Sequence, residues 1–419
     1  MTAIDVHLPV YQNFDCHGCG NCCRNMVVNV TDEERRRILD AGWAERLGGR
    51  ELFVAYRFRG RQLCRLTHQP DGACVFLGED GRCRLHAETG LHVKPLTCRL
   101  YPFVLGPGAG IVGVDLRADC PSVAGNRGRS MSLHRAEIAA LVRETRTRPM
   151  RSPPEWAGGR GLTDDEFKAL AAAFTGLLAH QRLGLRDRLR AGARLLDLLY
   201  VARLRKVRGE RFVELLHMLT QAVVAETFEA PSPPAVPARA GKLFRQWLFL
   251  HAIADDPADL ALRGFQRYRR SWARYRQSRA FAAGVGPVPA VRPHWPAVTF
   301  EALSRIEPAD DALLEPLLRS MRVKLDAHAF CGPGYYGRDA LRGLTALWLL
   351  PAVSGWLGRL AAAKAGRERL AREDVLDGLR QAHHTFGVSP VFSRLSERLR
   401  LHAFARPGVP GALLAAYGP

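Results

Sequence analysis

Cysteine is the residue type with the clearest chemistry in this chain, and its distribution is uneven. The sequence has 419 residues and 10 cysteines, and all but one of these precede position 121. Four of them form the run Cys16-x-x-Cys19-x-x-Cys22-Cys23, with glycines at 18 and 20 that allow the backbone to curl. Three cysteines at this spacing can hold three corners of a 4Fe–4S cube that a distant cysteine closes, whereas zinc favours two separated pairs. The run predicts a metal centre, either an iron–sulfur cluster or a zinc site.

The other early cysteines could complete this site or form a second one. Their density disfavours the alternative that they are buried, reduced thiols acting as small hydrophobic side chains. A disulfide framework is also disfavoured, because residues 1–15 show neither the basic nor the apolar region of a secretory signal, and we expect a cytoplasmic protein. No catalytic residue and no residue for an organic cofactor is assigned. The predicted metal ligands are Cys16, Cys19, Cys22, Cys23, Cys64, Cys74, Cys83, Cys98 and Cys120, with His68, His86 and His92 as further candidates.

Three cysteine-containing segments resemble a known family. They are FDCHGCGNCCR, CVFLGEDGRCRLHAETGLHVKPLTCRLYPF and the Asp-Cys pair at 119–120. Over about residues 8–130 they are similar to the YkgJ-type CxxCxxCC cysteine-cluster family, whose domain is described as chelating zinc or iron. One departure is Lys94-Pro95, where an Arg-Pro pair is usual. The resemblance implies a metal site built from these cysteines.

Flagellin lysine-N-methylases carry a related cysteine cluster followed by a long helical region, and this chain has a similar layout. As an alternative function, the resemblance implies N-methylation of lysine in a protein substrate, with S-adenosylmethionine as cofactor. No motif in the helical half carries this likeness residue by residue. The Cys-x3-Cys-x2-Cys spacing of radical S-adenosylmethionine enzymes is absent from the sequence.

The elements that must position the cysteines are short, and the segments between them contain few apolar residues. Such a region needs metal cross-links to fold. Capping boxes at Thr31–Glu34 and Thr163–Glu166 predict two helix starts, and helical periodicity dominates after position 160. The predicted fold is mainly α, with a small irregular α+β metal-stapled cysteine-cluster domain followed by an all-helical domain. The predicted boundaries are 8–130 for the cysteine-cluster domain, 131–160 for a linker and 161–408 for the α-helical domain, which could subdivide near 284–298.

Three later segments carry competing signals. The glycine-rich stretch Leu105–Gly110 resembles a nucleotide-binding loop, but the apolar residues on both sides predict a β-hairpin. The stretch Asp326–Gly337, which contains His328 and Cys331, predicts a helix end and a turn with one buried thiol, and a substrate pocket or an extra metal ligand is the alternative. The apolar run Leu344–Gly358 predicts a buried helix and no membrane span.

The formal net charge is +20, from 61 Lys and Arg against 41 Asp and Glu, which suggests nucleic acid or an acidic surface as a partner. The arginines are scattered over the sequence, so nucleic acid is not favoured. Between residues 263 and 279 they interleave with Phe265, Tyr268, Trp272 and Tyr275, whose spacing predicts a core-facing stripe on a helix at about 257–282. A nucleic-acid-binding helix would need these aromatic side chains exposed.

These features predict a metal-cluster protein whose centre is structural or redox-active. Its helical domain is expected to recognise a protein partner or a protein substrate. The alternatives are the S-adenosylmethionine-dependent protein lysine N-methylase and a basic nucleic-acid-binding module. No Ser/His/Asp order, phosphate-binding loop or paired-carboxylate motif points to another class of enzyme.

Overall fold

The chain folds into a strand-containing N-terminal part and a helical C-terminal part. The computed structural model describes residues 5–58, 60–202, 204–229, 235–253, 262–292 and 295–419. Helix accounts for 56% and strand for 10%, which confirms the mainly α fold class.

The N-terminal, cysteine-rich part is built from short elements. Its strands are β1 (Val6–His7), β2 (Asn13–Phe14), β3 (Phe53–Phe58), β4 (Arg61–Leu66), β5 (Phe103–Pro107), β6 (Val112–Leu116) and β7 (Arg129–Ser130). Its helices are α1 (Asn21–Asn25), α2 (Asp32–Asp40), α3 (Trp43–Arg46), α4 (Arg84–Thr89), α5 (Leu96–Leu100), α6 (Pro121–Ala124) and α7 (Arg135–Thr145). The Thr31 capping box that starts α2 is present as predicted.

The glycine-rich stretch at 105–110 belongs to a hairpin, as predicted. Strand β5 pairs antiparallel with β6, and Leu105 lies opposite Val114. Strand β6 also pairs in parallel with β1, which gives a three-stranded sheet in the order β1-β6-β5. The nucleotide-binding interpretation of this stretch is wrong, because such a loop joins a strand to a helix.

The C-terminal part is helical. Its helices are α8 (Asp164–Ala179), α9 (Leu185–Val201), α10 (Glu210–Glu229), α11 (Ala238–Ala252), α12 (Gly264–Ala283), α13 (Phe300–Arg305), α14 (Glu315–Asp326), α15 (Ala340–Lys364), α16 (Arg372–Thr385), α17 (Leu395–Phe404) and α18 (Val409–Tyr417). One large apolar cluster runs through them and also includes Ala109 of the cysteine-rich part. Val288, Val291 and Trp295, in the segment where a subdivision was predicted, belong to this same cluster.

The two parts pack against each other through buried polar contacts. In a buried ion pair, Lys324 Nζ on α14 donates to Asp115 Oδ2 on β6 at 2.6 Å. Arg319 Nη1 on α14 donates to Gln12 Oε1 at 2.9 Å. Gly113 permits the close approach, because a Cβ there would lie 2.0 Å from the carbonyl oxygen of Ala327.

The segment 131–160, assigned to a linker, contains helix α7. Ile138 and Val142 of α7 are buried in the same apolar cluster as Val112 and Val114 of β6. This part of the segment therefore packs with the cysteine-rich part.

Helix α15 is long and apolar. Its most apolar 18-residue window has a mean hydropathy of 1.3, so by length and composition alone the helix could cross a membrane. However, 89% of that window is buried inside the protein, as in a core helix. The helix continues through Pro351. The predicted buried helix is confirmed.

The predicted core-facing stripe on α12 is wrong. Phe265, Tyr268, Trp272 and Tyr275 are 72%, 67%, 54% and 50% exposed. The buried residues of α12 are Phe281 and Ala282, close to its C-terminal end. Helical spacing reports that side chains share a face, but not that another element covers it. The predicted start of this helix, at 257–261, lies outside the described residues.

Candidate metal centre

Eight thiols of the cysteine-rich part line one cavity of about 550 Å³, called here the cysteine cavity. They belong to Cys16, Cys19, Cys22, Cys23, Cys74, Cys83, Cys98 and Cys120. All are free thiols. Cys16 and Cys19 are exposed, whereas Cys74 and Cys120 are buried. The cavity therefore extends from the surface into the interior.

The first cysteines are placed by a tight loop. Gly18 and Gly20 have φ angles of 64° and 67°, in the left-handed region that favours glycine. Helix α1 follows Gly20 and carries Cys22 and Cys23, whose Sγ atoms are 4.0 Å apart. The backbone N–H of Cys74 donates to the carbonyl of Cys23 at 2.8 Å. This bond joins the loop to the next cysteine-bearing segment.

Later cysteines lie at or near the starts of short helices. Cys83 and Cys120 are the N-cap residues of α4 and α6, and Cys98 lies within α5. The first backbone N–H groups of a helix stabilise a nearby thiolate. Burial raises the pKa of Cys120 to about 11, although hydrogen bonds from the backbone N–H groups of Val123 and Ser122 act in the opposite direction.

Some of the thiols contribute to the pKa of others. Burial raises the pKa of Cys98, and Cys74, Cys83 and Cys22 raise it further. Burial likewise raises the pKa of Cys74 to about 12, again with contributions from Cys83 and Cys22. The pKa of Cys120 is affected instead by Cys19. These contributions define two sets, called here the interior group (Cys22, Cys74, Cys83 and Cys98) and the outer pair (the exposed Cys19 and the buried Cys120).

The donor set fits thiolate-ligated metal chemistry. Within the described residues, no three His, Cys, Asp or Glu side chains are close enough to hold one metal ion. The thiols surround the cavity instead. Zinc and iron–sulfur clusters both take thiolate ligands. Because burial keeps the pKa of Cys74 and Cys98 high, their ionisation would require a bound cation.

Positive side chains border the cysteine cavity. Arg82, Lys94 and Arg99 are among its lining residues, together with one carboxylate, that of Glu137. Arg99 Nη1 also donates to Glu144 Oε2 at 2.8 Å. The cations would offset the negative charge that several thiolates bring to one site.

Asp119, immediately before Cys120, is a buried carboxylate beside the cavity. It accepts hydrogen bonds from Tyr101 Oη at 3.2 Å and from Arg117 Nε at 3.1 Å. Its Oδ2 lies 3.5 Å from Nδ1 of His384 on α16. Burial alone would raise the pKa of Asp119, but His384 and Arg117 lower it to about 2. The network fixes the Cys120 segment against the helical part, a role that the Asp-Cys pair in the sequence did not reveal.

Glu34 connects a predicted helix cap to the position of Cys98. Its Oε2 accepts from the N–H of Thr31 at 2.8 Å, which completes the predicted capping box. Its Oε1 accepts from the N–H of Leu96, the first residue of α5, at 2.7 Å. The sequence indicated the first bond through the Thr-x-x-Glu spacing, but no local signal indicated the second.

The structure does not bring Cys64 to the cavity. Cys64 lies on β4 opposite Ala55 and packs against the apolar cluster of the cysteine-rich part. Its inclusion among the ligands is therefore not supported by its position. His92 is also absent from the cavity lining, whereas His68 and His86 contribute to it. Both ring nitrogens of His68 are engaged, by Arg65 at 3.0 Å and by the carbonyl of Met26 at 3.1 Å.

The stretch around His328 and Cys331 is a helix end and turn, as predicted. Helix α14 ends at Asp326, and Nδ1 of His328 accepts from the backbone N–H of Ala109 at 3.1 Å. Burial lowers the pKa of His328 to about 4, so the ring is neutral near pH 7. Cys331 is completely buried in the large apolar cluster. Neither residue lines the cysteine cavity.

Comparison with known proteins agrees with this chemistry. Residues 15–123 match the model of the CxxCxxCC family, which is described as a "Putative zinc- or iron-chelating domain". No curated protein and no solved structure gives a significant match to the chain. The predicted resemblance to the cysteine-cluster family is confirmed for the cysteine-rich part, and metal binding is the function that the match supports.

Proposed function

We propose that this protein binds an iron–sulfur cluster in the cysteine cavity. The observation that carries the proposal is the arrangement of eight thiols around about 550 Å³, with no three metal-ligating side chains of the described residues at the distance of a single ion. A zinc ion with Zn–S bonds of about 2.3 Å would reach few of these thiols at once. A cluster has several metal atoms to which separate cysteines bind.

The residues proposed to hold the cluster are those of the interior group, whose thiols contribute to the raised pKa of Cys74 and Cys98. The interior group of Cys22, Cys74, Cys83 and Cys98 provides four thiolates, the number that a 4Fe–4S cluster needs. The outer pair of Cys19 and Cys120, with Cys16, leaves three thiols for a second site or for exchange of a ligand. Cys23, beside Cys22, is the alternative ligand at that corner.

The exposed edge of the cavity favours a redox role over a purely structural one. Such a cluster supplies one-electron transfer, and its potential depends on charge, hydrogen bonds and solvent exposure. The chain contributes Arg82, Lys94 and Arg99 as positive charge. Exposure of Cys16 and Cys19 would let a partner protein approach the site. The helical part, packed on the other side through Asp119 and His384, would recognise that partner.

The test is the metal and acid-labile sulfide content of anaerobically purified protein, with its visible absorption spectrum. We expect brown protein that contains iron and sulfide in near-equal amounts. Colourless protein with stoichiometric zinc and no sulfide would overturn the cluster proposal and would make the centre a structural zinc site.

The lysine N-methylase with S-adenosylmethionine as cofactor stays a prediction from the resemblance. The family match covers the cysteine-rich part and concerns the CxxCxxCC domain, and no feature of the described residues favours the methylase. Calorimetric titration of the metallated protein with S-adenosylmethionine would test it. Absence of binding would remove this alternative.

Nucleic-acid binding is a second candidate function, because it requires exposed aromatic side chains and α12 carries them. Four aromatic side chains, those of Phe265, Tyr268, Trp272 and Tyr275, are at least half exposed. The rings of Trp272 and Tyr275 stack on each other with centroids 5.4 Å apart. Helix α12 contains six arginines and no Asp or Glu. Exposed aromatics beside arginines suit a single strand, whose bases stack while its phosphates pair with the cations.

A fluorescent oligothymidylate provides the measurement for this second candidate. We expect salt-sensitive binding that weakens about tenfold or more when Trp272 and Tyr275 are both changed to Ala. The matched control changes Leu395 and Leu399 to Ala, since these exposed apolar side chains lie on α17. Equal binding by both double variants, or none at low salt, would eliminate this function.

A further inference from the structure

A second cavity, of about 590 Å³, lies where the two parts of the chain meet; we call it the interface cleft. Asn21, Asn25 and Asp119 line it from the cysteine-rich part. From the helical part it is lined by the C-terminal end of α15, by one face of α16, and by Trp295 and Pro296. Its volume is that of a small-molecule site.

Several polar atoms of the cleft-lining residues are buried and have no hydrogen-bond partner among the residues that the structure describes. They are Arg292 Nη2, Trp295 Nε1, Arg380 Nε and Gln381 Oε1. A buried polar atom left without a partner costs about 1–3 kcal/mol, so several around one cavity call for a polar ligand. Three of the four are donors, which favours a ligand rich in acceptors.

The charges of the cleft also favour an anion. Its carboxylates are engaged: Asp119 by Arg117, and Glu373 and Asp374 by Arg367. Asp377 accepts from Gln381 Nε2 at 2.6 Å, and its Oδ1 lies 3.7 Å from Nη1 of Arg380. In contrast, Arg292 and Lys364 form no ion pair with any carboxylate in the described part of the chain. The positive charge of the cleft is thus less completely paired than its negative charge.

The cleft has an apolar side as well. It is lined there by Leu360, Ala361, Ala365 and Pro296. The buried ring of Trp295 packs against that of Trp356, with ring centroids 6.1 Å apart. These surfaces would contact a carbon framework. The mixture of unpaired donors and apolar surface suits an organic anion better than an inorganic one.

Asn21 connects the cleft to the cysteine cavity. It is the first residue of α1, between Cys19 and Cys22, and lines both cavities. Arg380 Nη2 donates to Asn21 Oδ1 at 3.1 Å, and Asn21 Nδ2 donates to the carbonyl of Asp119 at 3.1 Å. A ligand that accepts from Arg380 would therefore contact the support of the cysteine loop directly.

We propose that the interface cleft binds a small organic anion bearing a carboxylate or a phosphate group, through Arg292, Arg380 and Lys364. Trp295 donates its indole N–H to the same ligand, and the apolar wall holds its carbon framework. The site is independent of which metal the cysteine cavity binds, so it stands even if the cluster proposal fails. It places a bound molecule next to the metal centre, where binding and the state of the centre can affect each other.

The test is calorimetric titration of the full, metal-loaded chain in anion-free buffer. Adenosine 5′-monophosphate probes the phosphate source and succinate the carboxylate source, with uncharged adenosine as the control ligand. We expect saturable binding of one of the two anions with a Kd below about 1 mM and no binding of adenosine. Whichever anion binds identifies the source of the charged group.

Variants assign the binding to the cleft. Arg292→Gln should weaken it at least tenfold. Because Arg292 Nε also donates to the carbonyl of Ala252, this variant could fail to fold, so Lys364→Gln, at the exposed end of α15, provides a second test. Arg369→Gln is the matched control, since that exposed arginine pairs with Glu307 and Asp310 away from the cleft. Absence of saturable binding by both anions, or affinities unchanged in both cleft variants, would overturn the proposal.

Discussion

The cysteine-rich part and the helical part of this protein are stabilised by different means. The helical part has helices of up to 25 residues around an apolar cluster that contains fully buried Trp247 and Trp348. Around the cysteine cavity, helices α1, α4, α5 and α6 have 4 to 6 residues each, and thiols such as Cys74 take part in the local apolar cluster. Burial of apolar surface alone can stabilise the helical part. The stability of the cysteine-rich part depends on what its thiols bind.

Removal of an interior thiol should have the largest effect, and only on the cysteine-rich part. We expect Cys98→Ser to lose most of the bound metal and to destabilise this part by several kcal/mol, toward the 10 kcal/mol or so that structural metals contribute to small domains. Metal analysis and chemical denaturation provide the measurement. Cys64→Ser is the matched control because Cys64 lies outside the cavity. Equal metal loss in both variants would contradict the placement of the centre.

Among substitutions that remove a buried apolar side chain, the largest loss of stability is expected in the helical part. Trp348 is completely buried, contacts Phe174 with ring centroids 4.8 Å apart, and donates from Nε1 to the carbonyl of Leu189 at 3.0 Å. Trp348→Ala should lower the free energy of unfolding by about 3–5 kcal/mol, measured by urea denaturation. The metal content of the folded fraction should stay unchanged. A loss of metal would show that the two parts are not separately stabilised.

The two capping boxes offer a matched comparison. Glu166 is completely buried and also binds Arg160 Nη2 at 3.1 Å, so Glu166→Ala leaves a buried guanidinium unpaired and should cost about 3 kcal/mol. Glu34→Ala should cost about 2 kcal/mol and, through Leu96, also weaken metal retention. Denaturation and competition with a chelator measure the two effects. If Glu166→Ala weakened metal retention as much as Glu34→Ala, the proposed link from Glu34 to Cys98 would be refuted.

The smallest expected effect is a pH dependence of stability, which arises from a buried histidine in the helical part. Burial lowers the pKa of His251 from 6.5 to about 3, and Nδ1 of His251 lies 2.7 Å from Oγ1 of Thr385. At a pH between these two pKa values, the imidazole of His251 is protonated in the unfolded chain but neutral in the folded chain. Stability should therefore fall as the pH falls, with a contribution of up to about 1.4 kcal/mol per pH unit from this residue.

His251→Asn should reduce that slope without abolishing it, because burial also lowers the pKa of His328 and His383. Urea denaturation from about pH 7 to about pH 5 measures the slope. The control variant His402→Asn changes an exposed histidine and should leave the slope as in the wild type. A slope unaltered by His251→Asn would argue against a neutral buried ring.

The sequence predicted features that short-range chemistry determines. The capping boxes at Thr31 and Thr163, the left-handed Gly18 and Gly20, and the hairpin after Phe103 all follow from local spacing. The convergence of distant cysteines was indicated only by their number and by the family resemblance.

The features that the sequence did not predict depend on tertiary packing. Cys64 resembles the other cysteines in sequence, but β3–β4 pairing places it outside the cavity. The aromatic stripe of α12 has core-like spacing, yet each of its four side chains is at least half exposed. The contacts of Asp119 with His384 and of Asn21 with Arg380 join residues more than 260 positions apart. No local pattern reports such contacts.

Hydrogen exchange of the metal-loaded and the chelator-treated protein tests the central claim most directly. The amides around the cysteine cavity, in α1, β3–β4, α4 and α5, should lose protection when the metal is removed, whereas those of α9, α15 and α16 should keep it. Unchanged protection around the cavity, or equal loss in both parts, would contradict the conclusion that a metal centre stabilises one part and an apolar core the other.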